Sequence, residues 1–427
     1  MTGASAAPET EAGGKGGRQM KNRGSADTVQ SAYLLEYGRR KIRVCADTFQ
    51  NLAQIFSEDR EDEEEQPERA FFYLKKSLAR ERRLFAENLK EMAELMNRTS
   101  QESVRFLRLG NRRKRQLVRA LAGEGMNAED IYLVQRGNGR MELSLLLSAR
   151  QTRSRGTRTV QEAADLLSVL LDMRLVPSGR NPFFIGTEPV CCFFEEEPAY
   201  VWLTGTARAV RETETVSGDN FAFFEAGDAG LVLALSDGMG SGKAACRDSE
   251  AVVDMAESML EAGIDAQLAV RLMNSAMAGE GSVECLPTLD LCTLDLHEGE
   301  CTFLKAGAAA SFVKHGSVVE RVGGASLPLG AMSETQPQPV KRDVSDGDYI
   351  ILMTDGMTES WPDGEGEKRL ETLLSGMNGI SPSEMAGLLL RAAIEQRGGR
   401  IRDDMTVLCA GIWEKKDGDP EGKERTV

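Results

Sequence analysis

Histidine is almost missing from this chain: His297 and His315 are the only two in 427 residues. A histidine-rich metal site or a Ser-His-Asp triad therefore has few candidates. Both histidines stand in polar, turn-like surroundings (Leu-His-Glu-Gly and Lys-His-Gly), which predicts solvated loop residues. Tryptophan is nearly as scarce, with three. No apolar run approaches the roughly 20 residues that a membrane-crossing helix needs, and the N-terminus lacks the apolar core of a signal peptide. The expectation is a cytoplasmic protein, or the soluble portion of a membrane-associated one. The eight cysteines (Cys45, Cys191, Cys192, Cys246, Cys285, Cys292, Cys301 and Cys409) show no Cys-x-x-Cys spacing and lie scattered through apolar runs, so buried reduced thiols are expected rather than zinc ligands. Positive charge is in deficit as well: 52 Lys and Arg face 67 Asp and Glu, a formal net charge of -15. That balance disfavours nucleic acid and attracts divalent cations and basic partner surfaces. Chemistry in such a chain rests on carboxylates.

The length allows two or three domains, each with its own core. Residues 1–25, rich in Gly, Ala, Ser and Thr, cannot bury enough apolar surface to fold and are expected to be disordered. Leu35, Ile42, Cys45, Phe49, Leu52 and Phe56 form one stripe on a helix predicted over 27–57. The acidic run Glu61 to Glu65 breaks the pattern, and Pro67 opens a second helix in which Leu74, Leu78, Phe85, Leu89, Met92 and Met96 share a face. The segment 26–111 therefore reads as an antiparallel helical pair, or as a stalk giving a homodimer or higher oligomer. Seven basic residues between Arg105 and Arg119 predict a solvated helix face; contact with acidic lipid or a phosphorylated partner is the alternative. Ile131–Val134 and Met141–Leu147 flank Asn138-Gly139, a hairpin signal. With a helix near 159–174 and strands near 190–195 and 200–204, a small α+β domain is expected over 112–205. From 206 to 413 short apolar strands alternate with Gly-rich turns, and helices are predicted near 243–262, 265–278 and 383–397. That texture indicates two packed sheets covered by helices. Residues 414–427 read as a disordered tail.

Asp-Gly occurs five times, at Asp237, Asp346, Asp355, Asp363 and Asp417; by itself the dipeptide is ordinary turn chemistry. Two of the five stand apart. Asp237-Gly238 ends the run Leu-Val-Leu-Ala-Leu-Ser and Asp355-Gly356 ends Tyr-Ile-Ile-Leu-Met-Thr, so each carboxylate terminates a strand buried on both faces. Ser217-Gly218-Asp219 lies just before the first of these strands, and Asp403-Asp404 directly precedes Met-Thr-Val-Leu-Cys-Ala-Gly-Ile. Four separate segments can thus deliver acid to one end of one sheet assembly. Such a cluster repels itself unless hard cations such as Mg2+ or Mn2+ neutralise it. Two metals bridged by a carboxylate can hold a hydroxide for in-line attack on phosphorus.

Taken in order, Ser217-Gly218-Asp219, Ser236-Asp237-Gly238-Met239-Gly240-Ser241-Gly242, Pro287-Thr288-Leu289-Asp290, Leu327-Pro328-Leu329-Gly330, Asp355-Gly356 and Asp403-Asp404-Met405-Thr406 resemble the protein phosphatase 2C superfamily. Within it, the resemblance is to the stage II sporulation protein E family, and it extends more weakly upstream through Arg136 and Asn138-Gly139-Arg140. It implies an α-β-β-α sandwich preceded by a helical segment and a small α+β domain. It further implies two Mn2+ or Mg2+ ions. Asp237 would bridge both, the Gly238 carbonyl would help hold one, Asp355 and Asp403 would ligate the other, and Asp219 would act through coordinated water. Asp404 occupies a position that is Asn in many members. The implied substrate is a serine-phosphorylated anti-anti-sigma factor whose dephosphorylation frees a sporulation sigma factor, and a cell-division protein is a further implied partner. The helices near 243–278 correspond to the family's regulatory switch elements.

Three other readings compete. Gly-Ser-Gly-Lys at 240–243 suggests a nucleotide-binding loop, but the required first Gly falls at Asp237 and the Ser or Thr after Lys243 is Ala244. A phosphatase-like scaffold without activity, at a division site, would keep the fold and lose the chemistry. A stress-response phosphatase would keep the chemistry and act on a related anti-anti-sigma factor.

Overall fold

The computed structural model describes residues 105–415 except 108, 137–138, 151–157, 180, 228–229, 239, 241, 280–285, 324–325, 332–337 and 362–363. The helices expected over 27–57 and from Pro67 to Met96 lie outside the described residues. So do residues 1–25 and 416–427. The described chain divides into two compact units between Glu197 and Pro198.

In the first unit a five-stranded antiparallel sheet of order β1-β2-β3-β7-β5 is built from β1 (Arg105–Leu107), β2 (Met126–Gln135), β3 (Met141–Ala149), β5 (Leu175–Pro177) and β7 (Val190–Glu196). A short pair, β4 (Arg158–Thr159) and β6 (Phe184–Ile185), accompanies it. Helix α1 (Asn111–Gly123) buries Leu117 and Leu121, while Arg112, Arg113, Arg115 and Arg119 stay exposed. Helix α2 (Val160–Leu171) buries Val160, Ala163, Ala164, Leu167 and Leu171, one face at helical spacing. Thr159 and Glu162 close its first turn in a reciprocal capping box. Both helices meet Leu143, Leu145, Leu147, Cys192 and Phe194 of the sheet in a single core. β2 and β3 form the hairpin expected around Asn138-Gly139: Gln135 pairs with Met141, and Gly139 takes φ +87°, where a side chain would be strained.

The second unit is a four-layer α-β-β-α sandwich. One sheet has the order β15-β12-β11-β10-β9, from β9 (Asp219–Ala226), β10 (Gly230–Asp237), β11 (Leu289–Leu294), β12 (Glu300–Ala306) and β15 (Val340–Asp343). The other has the order β14-β13-β16-β17-β8, from β8 (Tyr200–Ala209), β13 (Ser311–His315), β14 (Val318–Val322), β16 (Asp348–Met353) and β17 (Met405–Glu414). Strand periodicity sorts the side chains. Leu231, Leu233 and Leu235 of β10 join Ile350, Leu352, Leu408 and Ala410 between the sheets. The alternate residues Val232 and Ala234 face α3 (Gly242–Glu261) and α4 (Ala266–Gly279). On the other side Ile351, Met353, Val407 and Cys409 pack on α6 (Gly366–Gly376) and α7 (Pro382–Gln396). A single turn, α5 (Asp355–Thr358), follows β16.

The central strands and the three long helices of this unit fall where their apolar patterns predict. Three features differ. The strand expected near 200–204 as part of the small domain is instead β8, paired along its whole length with β17 from Tyr200↔Glu414 to Ala209↔Met405. That pairing partner lies at the far end of the chain, beyond the reach of a local pattern. β9 and α6 were not expected: Asp-Asn-Phe-Ala-Phe-Phe-Glu-Ala shows no clean alternation, and α6 has few apolar residues. Finally, His315 ends a strand and lies 2.7 Å through Nδ1 from Asp348 Oδ2, rather than in a free loop. Cys192, Cys292, Cys301 and Cys409 are buried free thiols, Cys191 and Cys246 half-buried ones. No described helix is long and apolar enough to cross a membrane.

β8 depends on one glycine. A Cβ on Gly205 would lie 2.1 Å from the backbone N of Ser383, in the first turn of α7. That turn is fixed by Pro382 and by the Ser381–Glu384 capping box. Gly205→Ala is expected to destabilise the chain by about 1–3 kcal/mol, the range for overpacking a rigid contact, as measured by urea unfolding.

Candidate metal centre

At one end of the sandwich the apolar residues between the sheets give way to acid. β9 and β10 pair antiparallel with Asp219 directly opposite Asp237. Cross-strand partners project to the same side, and like charges so placed repel. The register that packs Phe221 and Phe223 beside the buried Leu233 and Leu235 therefore forces two carboxylates together. Across the gap, Thr354 directly follows β16 and Thr406 is the second residue of β17. Both hydroxyls donate to Asp219 Oδ2, at 3.1 and 2.6 Å. Asp219 is fully buried, and its Oδ1 has no partner in the protein. Asp355, at the start of α5, and Asp403 lie near enough to raise the proton affinity of Asp237.

The electrostatics follow from this crowding. Burial, then the charges of Asp219, Asp355 and Asp403, push the Asp237 carboxyl up to about 9. Asp219 is pushed up to about 6 by burial and by Asp404, against the two threonine hydroxyls and Arg208. Asp403 is raised as well, by partial burial of its carboxyl and by Asp355, while the backbone N–H of Asp404 and the charge of Arg211 oppose the rise. Protons or cations must compensate the cluster. As they stand, no three His, Cys, Asp or Glu side chains among the described residues form a ready-made ion cage. The donor set nonetheless suits a hard divalent cation: oxygen ligands, several carboxylates, and one buried carboxylate oxygen left without a partner.

The backbone around the site is closely packed. Thr288 locks Asp237: its Oγ1 accepts from Asp237 N at 3.0 Å and its N donates to Asp237 O at 2.8 Å. Gly238 is overlaid by α3, where a Cβ would fall 2.1 Å from Ala245 O. Ser249, on the same helix, donates to Gly218 O at 2.5 Å. Arg208 donates to the carbonyls of Ser217 and Asp219.

Of the six residues predicted from sequence, Asp219, Asp237, Asp355 and Asp403 come together, with Gly238 beside them. Asp404 differs in kind. Its Oδ1 and Oδ2 accept from the backbone N–H groups of Arg211 at 2.8 Å and Gly218 at 2.6 Å, so it braces the loop leading into Asp219. Sequence reasoning missed Thr354, Thr406, Arg208 and Arg211. The signal for Thr406 was present in Asp-Asp-Met-Thr, two residues past a carboxylate at the start of a buried strand. The two arginines stand at the C-terminal end of β8, Arg208 within it and Arg211 just past it, where the pairing with β17 is beyond the reach of a local pattern.

Comparison with known proteins agrees with this architecture. The sequence profile of the family described as stage II sporulation protein E matches residues 227–413. The chain is 31% identical to stage II sporulation protein E of Bacillus subtilis (strain 168) over 348 residues, and 28% identical to that of Priestia megaterium over 341. Each alignment covers 80% of this chain, but only 41% and 58% of the respective relative. A solved structure of the PP2C phosphatase domain and a fragment of the regulatory domain of SpoIIE from Bacillus subtilis superposes with a TM-score of 0.57 at 26% identity. That match covers 81% of this chain and 96% of the other.

The carboxylate cluster predicts a pH-dependent stability. A carboxyl whose ordinary value of 3.8 rises to about 9 on folding holds its proton more tightly in the folded state. Its contribution is full below about 4 and is lost as pH climbs towards 9. The metal-free chain is thus expected to melt at progressively lower temperature across that window. Asp237→Asn should flatten the trend and abolish any stabilisation by Mn2+, as followed by thermal denaturation with and without the ion.

Proposed function

We propose, from the match of residues 227–413 to the family described as stage II sporulation protein E, that the chain is a metal-dependent protein phosphatase hydrolysing phosphoserine on an anti-anti-sigma factor. The observation that carries the reading is the convergence of Asp219 and Asp237 from one sheet with Asp355 and Asp403 from the other. In this proposal Asp237, Asp355 and Asp403, with the Gly238 carbonyl, would hold divalent cations, Mn2+ or Mg2+, and Asp219 would act on them through water by its free Oδ1. When bound, the cations supply Lewis-acid chemistry: they activate water at neutral pH and neutralise the phosphoryl oxygens. Thr354 and Thr406 hold Asp219 so that one oxygen stays available, and Asp404 fixes the backbone of Gly218.

The net charge of -15 repels a phosphorylated substrate at long range, so local positive charge is needed. Arg208 and Arg211, both acting electrostatically on the cluster, are the candidates near the site. In domain terms the proposal assigns catalysis to the sandwich, a regulatory role to the unit of 105–197, and a helical or oligomerising role to the segment expected over 26–111, here shortened to 26–104 because Arg105–Leu107 form β1. A cell-division protein remains a candidate partner of the whole protein, and the cytoplasm its proposed location.

Regulation has a physical route. Ala245 and Ser249 lie against Gly238 and Gly218, the residues next to Asp237 and Asp219, so a shift of α3 moves the ligands. Docking of the 27–57 segment on α3 and α4 is the proposed control. Deleting residues 1–100 is expected to change phosphate release from a phosphoprotein and apparent Mn2+ affinity; unchanged values for both would remove the control hypothesis.

A phosphatase-like scaffold without activity is the rival. Manganese-dependent phosphate release from a phosphoserine protein separates the two. The full chain is expected to catalyse it and Asp237→Asn to return the rate to background. Absence of turnover in the full chain with Mn2+ and Mg2+ would favour the scaffold.

A further inference from the structure

A second set of charged side chains lies inside the sandwich one strand away from the carboxylate cluster. Asp290 on β11 pairs across the sheet with Leu235 on one side and Lys305 on the other, and all three project between the sheets. Asp290 is 1% exposed and Lys305 4%. Lys305 Nζ donates to Asp290 Oδ2 at 2.5 Å and to Ser311 Oγ, on the opposite sheet, at 2.7 Å. Ser311 Oγ in turn donates to the same Asp290 oxygen. Asp290 Oδ1 has no partner in the protein. Asp290 also lines a cavity together with Asp237, Asp355, Thr288 and Thr354. The cavity has about 10 Å³ of room for water centres, the size of one molecule.

Burying an ion pair between two aliphatic sheets gains little stability over an apolar pair of similar size. Bracing the sheets alone does not account for an oxygen left unsatisfied where desolvation is costly. The arrangement fits a different task. Lys305 and Ser311 occupy Oδ2, so Oδ1 is a fixed acceptor with no local competitor.

We propose that Asp290 is a positioning residue whose free Oδ1 holds a water molecule in the cavity shared with Asp237 and Asp355, coupling the Lys305–Ser311 brace to the carboxylates that bind metal. The water donates one hydrogen to Asp290 and the other to a neighbouring carboxylate. The distance between the sheets, set by Lys305 and Ser311, then fixes the placement of ligands drawn from both sheets. This inference rests on the metal-dependent reading above. It adds a residue that the resemblance gives no role.

The test combines crystallography of the full chain with Mn2+ calorimetry. Ordered water within hydrogen-bond distance of Asp290 Oδ1 is expected whether or not metal is present. In Asp290→Asn the amide oxygen faces Lys305 and Ser311, and a donor replaces the acceptor in the cavity. That variant leaves the buried Lys305 ammonium without its counter-charge and is expected to melt at a lower temperature; below its transition it should bind Mn2+ about 10- to 100-fold more weakly, as for loss of a group that orients metal ligands. Asp290→Leu combined with Lys305→Met removes both charges together and should show the same loss of affinity should the single variant not fold. A dry cavity, or variants that bind Mn2+ as the wild type does, overturns the inference. A wild-type chain that binds no Mn2+ overturns the preceding reading instead, and the crystallographic water alone then decides this one.

Discussion

The contact that everything else depends on is the apolar seam between the two sheets of the second unit. Leu231, Leu233 and Leu235 from one sheet must meet Ile350, Leu352 and Leu408 from the other. Meeting them fixes which residues come next along each strand. On β10 that residue is Asp237, opposite Asp219 on β9; on β16 and β17 the neighbours are Thr354 and Thr406. The acidic cluster is therefore a consequence of strand register, and a slip of one residue would send these side chains to the opposite faces. Stability and chemistry pull against each other here. The seam provides the hydrophobic drive for folding, while its end gathers charges that would otherwise drive the strands apart.

Around that end the structure uses backbone packing to limit movement. Glycine is required where other chain segments come closest: Gly238 under Ala245 of α3 and Gly356 under the Asp404 carbonyl, where a Cβ would fall 2.1 and 2.0 Å from the facing oxygens. These close contacts explain how a helix on one face and a loop on the other can both report on the same carboxylates. Asp404, Thr288 and Arg208 each bind backbone rather than open space, so these polar contacts hold the segments that carry the clustered carboxylates.

Much of this was legible from residues alone. Asp237 and Asp355 stood out because each ends an apolar run long enough to be a buried strand, and Asp219 and Asp403 because they adjoin such runs. Local periodicity could not show which strands would be neighbours. Residues 200–204 therefore read as part of the small domain until their pairing with β17 is seen, and the roles of Arg208, Thr354 and Thr406 arise only when distant segments meet. Asp404 illustrates a finer limit: beside Asp403 it looks like one more carboxylate of the cluster, and only the structure shows its oxygens accepting from the N–H groups of Arg211 and Gly218. Asp290 was visible as part of a motif, yet nothing in its neighbours along the chain revealed the lysine and serine that hold one of its oxygens.

The central claim is that acidic groups from two sheets share divalent ions. Anomalous diffraction at the manganese edge, on crystals of the full chain soaked in Mn2+, tests it most directly. The account predicts two peaks roughly 3.5–4 Å apart, both within coordination distance of Asp237, with Asp355 and Asp403 completing one of them. Fully soaked crystals with no peak beside Asp237, or with manganese bound only elsewhere on the acidic surface, would contradict it.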